Sequence, residues 1–377
     1  MQEALSRQLA NTFRAKIRSG EWAIGERLPT TRALAAEYQV SLNTVQSAFR
    51  ELEANDMVVR HPRRGGFVKT KAPREGPPRA TTIGIIGTLD SLDAKEFRGW
   101  NYRITRAAEE SLAKQDFHVS LLRNTSPDDT DARRLFARLD HHGSDLAGLI
   151  CLPMPGLRDV LDELDRRNIP WVTINRTSDH YHHNFVTADN LHGGELVGRC
   201  FAKLDLDRVL MLGRPLITGG SEGEKYLGFL RGYLEGGKST RNVDYVICND
   251  VNEASGYETM RQHVEQHGPP RGVFAVGDLL ALGAIRYCRE HGLSVPGDVG
   301  IVGSTGLDVA EYSHPTLTVL QQPMEAMGTE AVRMLLEMVR EETRRLIGRY
   351  VPSPLIARES LPVDEAMVKE LTPDAKR

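Results

Sequence analysis

Cysteine is scarce: four occur in 377 residues, Cys151, Cys200, Cys248 and Cys288, far apart and in no paired ligand spacing. That excludes a zinc motif of paired ligands and a disulfide-stapled scaffold, and leaves small buried hydrophobes in a reducing cytoplasm. Long apolar runs are missing too: nothing approaches the ~20 residues a membrane span needs, and the opening MQEALSRQLANTF has no apolar signal core. The chain is therefore expected in the cytoplasm, with no membrane partner. No Gly-rich phosphate loop follows a strand-like run and no G-x-S-x-G elbow appears, so neither an enzyme nor a cofactor is expected. The cluster DHYHH at 179–183 is the nearest thing to a metal site. Adjacent side chains on an irregular loop seldom converge on one ion, so a solvated loop is the reading and no metal is expected.

The length allows a small domain and a large one, each with its own core. With 40% hydrophobic and 26% charged residues the composition is that of a globular protein. Net charge is only -3, but residues 1–79 hold 14 Lys and Arg against 8 Asp and Glu, and the remainder 34 against 43. A basic head on an acidic body fits a protein whose head alone neutralises phosphates.

Within that head, Val45, Ala48, Phe49 and Leu52 recur at helical spacing over 41–55, with Asn43, Gln46, Ser47 and Arg50 on the other face. A short helix over 30–38, capped by Thr30 and Thr31, precedes it, and the Gln39-Val40 turn leads to Ser41 as the second cap: helix-turn-helix grammar. Two short apolar runs, 57–60 and 67–70, follow, joined by HPRRGG, a tight hairpin that puts Arg63 and Arg64 at its tip. Leu5, Leu9, Phe13 and Ile17 predict an amphipathic helix over 3–19 that roofs this unit.

The order LP-x-x-R-x-LA, VS-x-x-TV, A-x-R-E-L-E and a basic Gly hairpin ending in F-V resembles the winged helix of GntR-type bacterial transcription regulators, over about residues 4–70. The resemblance implies a recognition helix in the major groove and a wing against the backbone or minor groove. Carried over by position, Arg32, Thr44, Arg50 and Gly65 match residues that meet DNA in the family. With Ser41, Asn43, Gln46, Arg63 and Arg64 they form the expected DNA-binding set. Leu42 and Gln46 stand where the family commonly has Arg; Gln pairs bidentately with adenine, whereas Leu offers only apolar contact to a thymine methyl.

After the wing, KTKAPREGPPRATT is too rich in Pro and charge for a packed element and reads as a linker. From residue 82 the period changes. Apolar runs of strand length (TIGIIG, HVSLLR, LAGLICL, IPWVTI, FVTA, RVLMLG, YVICN, GVFAVG, VGIVGS, LTVLQQ) alternate with helical stretches such as 104–114 and 157–167. Continuous apolar strands separated by helices describe parallel sheets covered on both faces, and so many of them suit two lobes. The fold class is α/β, with domains expected at 1–70 (winged helix-turn-helix), 71–81 (linker), 82–362 (two lobes, binding and dimerisation) and 363–377 (flexible tail).

IPWVTINRT, VTADNLHGGELVG, the G-F-L-R-G-Y run, VFAVGDLLALGAI, GDVGIVGS and HPTLTVLQQPMEAMGTEAV together resemble the effector domain of LacI-type repressors, itself similar to periplasmic sugar-binding proteins. The resemblance implies two lobes, three crossovers near Val186, Leu320 and Gly348, and a ligand in the cleft. A GntR-like head on a LacI-like body is similar in architecture to the arabinose-responsive repressor subgroup.

In α/β sheets ligands bind beyond the carboxyl ends of strands. The residues closing the strands here are polar: Asp90, Asn175 and Arg176, Asp250, Asp278, and Gln322. Such a set can exchange the water around sugar hydroxyls for fixed donors and acceptors. By resemblance, Asn175 matches a residue that bonds the effector and Lys225 matches an Arg that clamps hydroxyls, keeping the charge without the fork. Asp278 and Asp189 have a second reading as helix caps, Arg176 as one partner of an interlobe ion pair, and Trp100 as either a stacking platform or core. The function expected is a transcription repressor of carbohydrate-use genes, a homodimer on a near-palindromic operator, controlled by a small sugar-like effector. A solute receptor is disfavoured by the basic head. A PLP enzyme body, which some GntR-headed proteins carry, is disfavoured by the lack of a recognisable Schiff-base lysine neighbourhood.

Overall fold

The computed structural model describes residues 6, 9–13, 16–17, 21–22, 26–54, 57–61, 65–68, 82–87, 95–123, 136, 146–154, 156–175, 184–216, 220–341 and 348–372. Two compact units emerge, Met1–Arg79 and Ala80–Arg377.

In the head, helix α1 (Thr31–Glu37) starts where the Thr30 hydroxyl accepts from the Ala33 amide at 3.2 Å. Gln39, at φ 52°, turns the chain. Helix α2 (Leu42–Ala54) starts where the Ser41 Oγ accepts from the Thr44 amide at 3.1 Å. Strands β1 (Val58–His61) and β2 (Gly65–Val68) pair antiparallel, and the Leu28 amide donates to the Gly66 carbonyl at 2.8 Å, adding an outer edge. Val45, Ala48, Phe49 and Leu52 are all buried, and Phe13 packs against Trp22, Tyr38 and Phe49 at ring distances of 5.1, 5.6 and 5.4 Å. Of the expected first helix, residues 6, 9–13 and 16–17 are described and helical, and Leu9, Phe13 and Ile17 are buried.

The body begins with β3 (Thr82–Gly87), α3 (Lys95–Ala113), β4 (His118–Arg123), β5 (Leu146–Cys151), α4 (Leu157–Arg166), β6 (Trp171–Ile174) and β7 (Phe185–Ala188). It then crosses to a second lobe: α5 (Asn190–Lys203), β8 (Val209–Gly213), α6 (Ser221–Glu235), β9 (Val243–Ile247), α7 (Glu253–His267), β10 (Gly272–Ala275), α8 (Asp278–Glu290), β11 (Gly300–Gly303), α9 (Val309–Tyr312) and β12 (Thr318–Leu320). The chain returns to the first lobe for α10 (Met324–Glu341) and β13 (Gly348–Val351), and ends in the second with β14 (Leu355–Ile356) and α11 (Glu365–Leu371). The sheets are β13-β7-β6-β5-β3-β4, parallel throughout, and β14-β12-β11-β10-β8-β9, parallel except for β14. The central strands are apolar runs of the sequence and are buried, whereas the edge strands β13 and β9 are in part exposed.

The three crossings follow β7, β12 and β13, the strands that contain Val186, Leu320 and Gly348, and Gly348 to Val351 pair in register with Phe185 to Ala188 to complete the first sheet. The tail expected from 363 is structured over its first part. Val363 is buried, the Asp364 carboxylate caps α11 by accepting from the Met367 amide at 2.7 Å, and Lys203 of α5 reaches Glu370 at 3.1 Å. The linker at 71–81 and the DHYHH loop lie outside the described residues. All four cysteines are buried and free, and burial pushes the Cys200 thiol up to about 12, as suits packing atoms rather than nucleophiles. Among the described residues no helix is long and apolar enough to cross a membrane.

Helices α5 and α6 approach until their backbones touch. A Cβ at Gly194 would lie 2.3 Å from the Lys225 carbonyl oxygen, and one at Gly228 would lie 2.0 Å from that of Leu191. Backbone atoms on both sides leave nothing flexible to move aside. Gly228→Ala is expected to destabilise the body by about 1–3 kcal/mol or more in chemical denaturation; a change below ~0.5 kcal/mol, the range of neutral surface substitutions, would show that this interface has slack.

Candidate DNA-reading surface and interlobe cavity

The start of α2 presents a stripe. Leu42, Gln46 and Arg50, four residues apart, are exposed, as are Ser41, Asn43 and Arg32, and Arg50 donates to the Ser47 Oγ at 3.1 Å. Leu42 is an apolar side chain left 44% exposed at the first position of a polar face. Thr44 is different: it is buried and its Oγ1 sits 2.8 Å from the Ser41 Oγ, so its hydroxyl is engaged in closing the helix start. Gly65 opens β2 opposite His61. Arg63 and Arg64 lie outside the described residues.

In the body, a cavity that opens to solvent lies between the lobes. Trp100 of α3 and Asn175 after β6 line it from the first lobe; Arg214, Ser221, Glu222, Lys225, Val251, Val276, Ser304 and Thr305 line it from the second, and Gln322 from the crossing between β12 and α10. Asn175 adopts φ 65°, a left-handed conformation that Asn tolerates, with its amide donating to the Val186 carbonyl at 2.8 Å. Thr187 Oγ1 donates to the Asn175 side-chain oxygen at 3.3 Å. That bond assigns the side-chain oxygen as acceptor and so places the NH2 at the other position of the amide.

Lys225 is buried, with 4% exposure, on the second turn of α6. Glu222 accepts from Arg214 Nε at 2.9 Å and from Ser221 Oγ at 2.8 Å. Burial pushes the Glu222 carboxyl up, but the charges of Arg214 and Lys225 and the bonds from Arg214 and Ser221 outweigh it and hold the group below the usual carboxylate range. Gln322, also buried, donates to the Asn190 side-chain oxygen at 3.3 Å, joining two crossing segments. Trp100 is 6% exposed, packs in the first lobe's core and also lines the cavity.

Two of the expected carboxylates go elsewhere. Asp250 lines a separate cavity of about 640 Å³, flanked by β9 and α7; its neighbour Val251 faces the interlobe cavity instead. Asp278 neither caps its own helix nor reaches the cavity. Fully buried, its Oδ2 accepts from the amides of Gly306 and Leu307 at 2.8 and 2.7 Å, pinning the loop that carries Ser304 and Thr305. Arg103 of α3 holds the same loop from the first lobe, donating to the Gly306 carbonyl at 3.0 Å and to Glu325 at 2.6 Å. Asp189 does cap α5, accepting from the His192 amide at 3.2 Å. Asp90 and Arg176 lie outside the described residues. Sequence reasoning missed Arg214, Ser221, Glu222, Val276 and Ser304 as lining residues. Arg214 directly follows RVLMLG, and the strand-end rule applied there finds it; Glu222 sits on a helix and carried no signal.

The description "Bacterial regulatory proteins, gntR family" matches residues 5–68, and "Periplasmic binding protein-like domain" matches residues 201–361. The HTH-type transcriptional repressor PurR of Pectobacterium atrosepticum is 30% identical to this chain over 74% of its length and 80% of PurR's. The chain is a LacI-type repressor with a GntR-type head. This repressor is also 27% identical to the arabinose metabolism transcriptional repressor of Geobacillus stearothermophilus, across 94% of its own chain and 96% of that one. The solved complex of transcriptional regulator CelR with cellobiose shares its fold, with a TM-score of 0.64 at 22% identity over 88% of this chain and 100% of that one.

Burial pushes the Asp278 carboxyl of this repressor up to about 6 from 3.8, against the opposing pull of the Leu307 and Gly306 amides. With the folded value raised, the proton is held more tightly in the folded state, so this contribution is complete below pH 3.8 and lost as pH rises through about 6. Asp278→Asn stays neutral and keeps an oxygen for the two amides. Raising pH from ~4 to ~6.5 should therefore cost the parent on the order of 3 kcal/mol more unfolding free energy than the variant in urea titrations. Parallel pH profiles for the two proteins would refute the buried-acid assignment.

Proposed function

We propose that this repressor acts as a homodimer on a near-palindromic operator in the cytoplasm, has no enzymatic activity, and is controlled by a small sugar-like effector bound between its lobes. The observation that carries the reading is the composition of the interlobe cavity. Donors and acceptors come from both lobes and from a crossing segment, Asn175, Ser304, Thr305, Lys225 and Gln322, around the buried indole of Trp100. Hydroxyls need such a set, and an aromatic face suits the apolar face of a sugar ring. Because both lobes contribute, a ligand that fills the cavity favours the lobe arrangement in which all these contacts are made.

At the other end, the exposed stripe of α2 supports reading of the major groove by Leu42, Asn43, Gln46 and Arg50, with Arg32, Ser41 and Gly65 at the backbone and Arg63 and Arg64 on the wing. Thr44 belongs to this set as the residue that seats the helix start. In this reading residues 1–70 bind DNA, 71–81 link, and 82–362 bind effector and dimerise. The apolar run YVICN and its neighbours would then serve a receptor for carbohydrate-use signals and not a catalyst.

The effector should change operator affinity by roughly 5- to 150-fold, the range of ordinary coupling free energies. Gel shifts with and without a panel of sugars measure this directly; unchanged affinity in the presence of a sugar shown to bind would reject ligand control. Removing residues 1–70 should abolish operator binding and leave ligand-induced thermal stabilisation intact. Operator binding by the truncated chain would mean that the reading surface lies elsewhere.

A further inference from the structure

The first two turns of α2, Leu42 to Phe49, contain no Lys, Arg, Asp or Glu. Of their side chains, Thr44, Val45, Ala48 and Phe49 are buried, and Ser47 is half-buried and accepts from Arg50 at 3.1 Å. That leaves Leu42, Asn43 and Gln46 exposed at the end of the helix that meets base edges when a recognition helix enters the major groove. Ser41, just before them, already accepts from the Thr44 amide and lies 2.8 Å from the Thr44 hydroxyl. Arg50, the only cation of α2, stands one turn beyond Gln46.

Each base calls for its own side chain. Guanine is read in the major groove chiefly by the donors of Arg or Lys, and cytosine by a carboxylate that accepts from its amino group. Neither type is present in these turns. Gln and Asn offer a donor and an acceptor side by side, the complement of the adenine N7 and amino group, and an alkyl side chain packs against the thymine methyl. A single exposed Leu on a protein surface is ordinary. Leu42, 44% exposed, differs in standing one turn before Gln46 on the same face. Four residues advance a helix by ~6 Å, close to two base-pair steps of ~3.4 Å, so the two side chains can meet nearby pairs in one groove.

We propose that α2 is a reader of A·T pairs, with Leu42 against a thymine methyl and Gln46 bonded to an adenine about two base-pair steps away, an inference that rests on α2 entering the groove as proposed above. Asn43, beside Leu42, extends the same preference. The cations of the head, Arg32 and Arg50 among them, then draw the helix to the phosphates without choosing the sequence. The choice falls to uncharged side chains.

Selection of duplexes from a random pool by the full-length chain, followed by fluorescence anisotropy on the selected half-site at fixed salt, tests this. Replacing the thymine met by Leu42 with uracil removes only the methyl and should weaken binding roughly fourfold. Leu42→Ala should bind the thymine and uracil duplexes equally. Exchanging the adenine pair for G·C should cost the parent about tenfold or more; Gln46→Ala should lose that discrimination and Gln46→Arg should reverse it in favour of guanine. Both positions are exposed, and unchanged urea midpoints establish that the variants are folded. A selected G·C pair whose preference depends on Leu42 or Gln46 overturns the inference and leaves the operator reading standing. So does an A·T-rich site indifferent to uracil at every thymine and to both substitutions, which would mean readout by duplex shape. A pool that enriches no sequence overturns the operator reading as well.

Discussion

The backbone contact between α5 and α6 is the constraint from which the geometry of the interlobe cavity follows. Gly194 and Gly198 on one helix meet Gly228 and Gly232 on the other, each so close to the opposing backbone that a methyl group has no room. The register is thereby fixed to a fraction of an ångström. Since the Lys225 carbonyl is one of the touching atoms, the start of α6, with Ser221, Glu222 and Lys225, is fixed with it. In the middle of the same interface Glu195, itself buried, is met by Arg231 at 2.9 Å and Arg199 at 3.5 Å. A buried charge of this kind is tolerated only when paired, so the ion pairs add a second requirement for the same register. At the near end, α5 begins at Asn190, which joins Gln322 across the crossing segments. Helix packing, lobe connection and cavity-lining side chains are thus set by one contact.

Local patterns were legible in the sequence where the chain's neighbours are themselves. The α2 face repeats every three to four residues and buries as that period demands, and the apolar strand runs form two sheets because nothing else could cover them. Asn175 and Gln322 follow their strands directly, and all that is required of them is to stay there. Carboxylates were harder to place. Asp278 also follows a strand, but its destination depends on where the loop at 305–307 returns, 28 residues later in the chain, and two amides there outbid the cavity. The strand β13 was missed because it is half exposed and alternates, so GRYV has none of the continuous apolar character of its neighbours. The helix after Asp364 reads as charged tail by composition; its cap and its anchor on Lys203 lie in different parts of the chain. The glycines of α5 and α6 were visible as family signature, while their reason, an interhelical distance, belongs to the tertiary structure alone.

The loop carrying Ser304 and Thr305 is held from two directions, and this gives the cleft its mechanical character. Asp278 fixes it within the second lobe, whereas Arg103 reaches it from the first and is shared with Glu325 at the start of α10. Glu325 is more than half exposed, so this interlobe tie is of the kind worth little against water and easily remade. The Asp278 bonds are buried and persist. The tie from Arg103 is thus partly exposed, whereas the shape of the loop is set within the second lobe by a fully buried carboxylate. A ligand that touches Ser304 or Thr305 on one side and Asn175 or Trp100 on the other supplies what the exposed tie lacks, a desolvated link between the lobes.

The uneven charge of the chain bears on how such a link can matter for DNA. Residues 1–79 carry an excess of positive charge and the remainder an excess of negative charge, so phosphate attraction is confined to the head and the body repels. Non-specific attraction depends on the number of cations brought to the backbone and varies steeply with salt. In the reading proposed for α2, contacts by Leu42 and Gln46 would depend on the geometry of the helix in the groove and add little charge of their own. With Leu and Gln at these two positions in place of the family's usual arginines, the head has fewer cations on its recognition face and relies more on placement. A reader of that kind is more sensitive to the spacing of two copies than to total attraction. In the proposed dimer, spacing is the quantity that rearranged lobes would alter, and long-range charge and close-range shape would then divide the work.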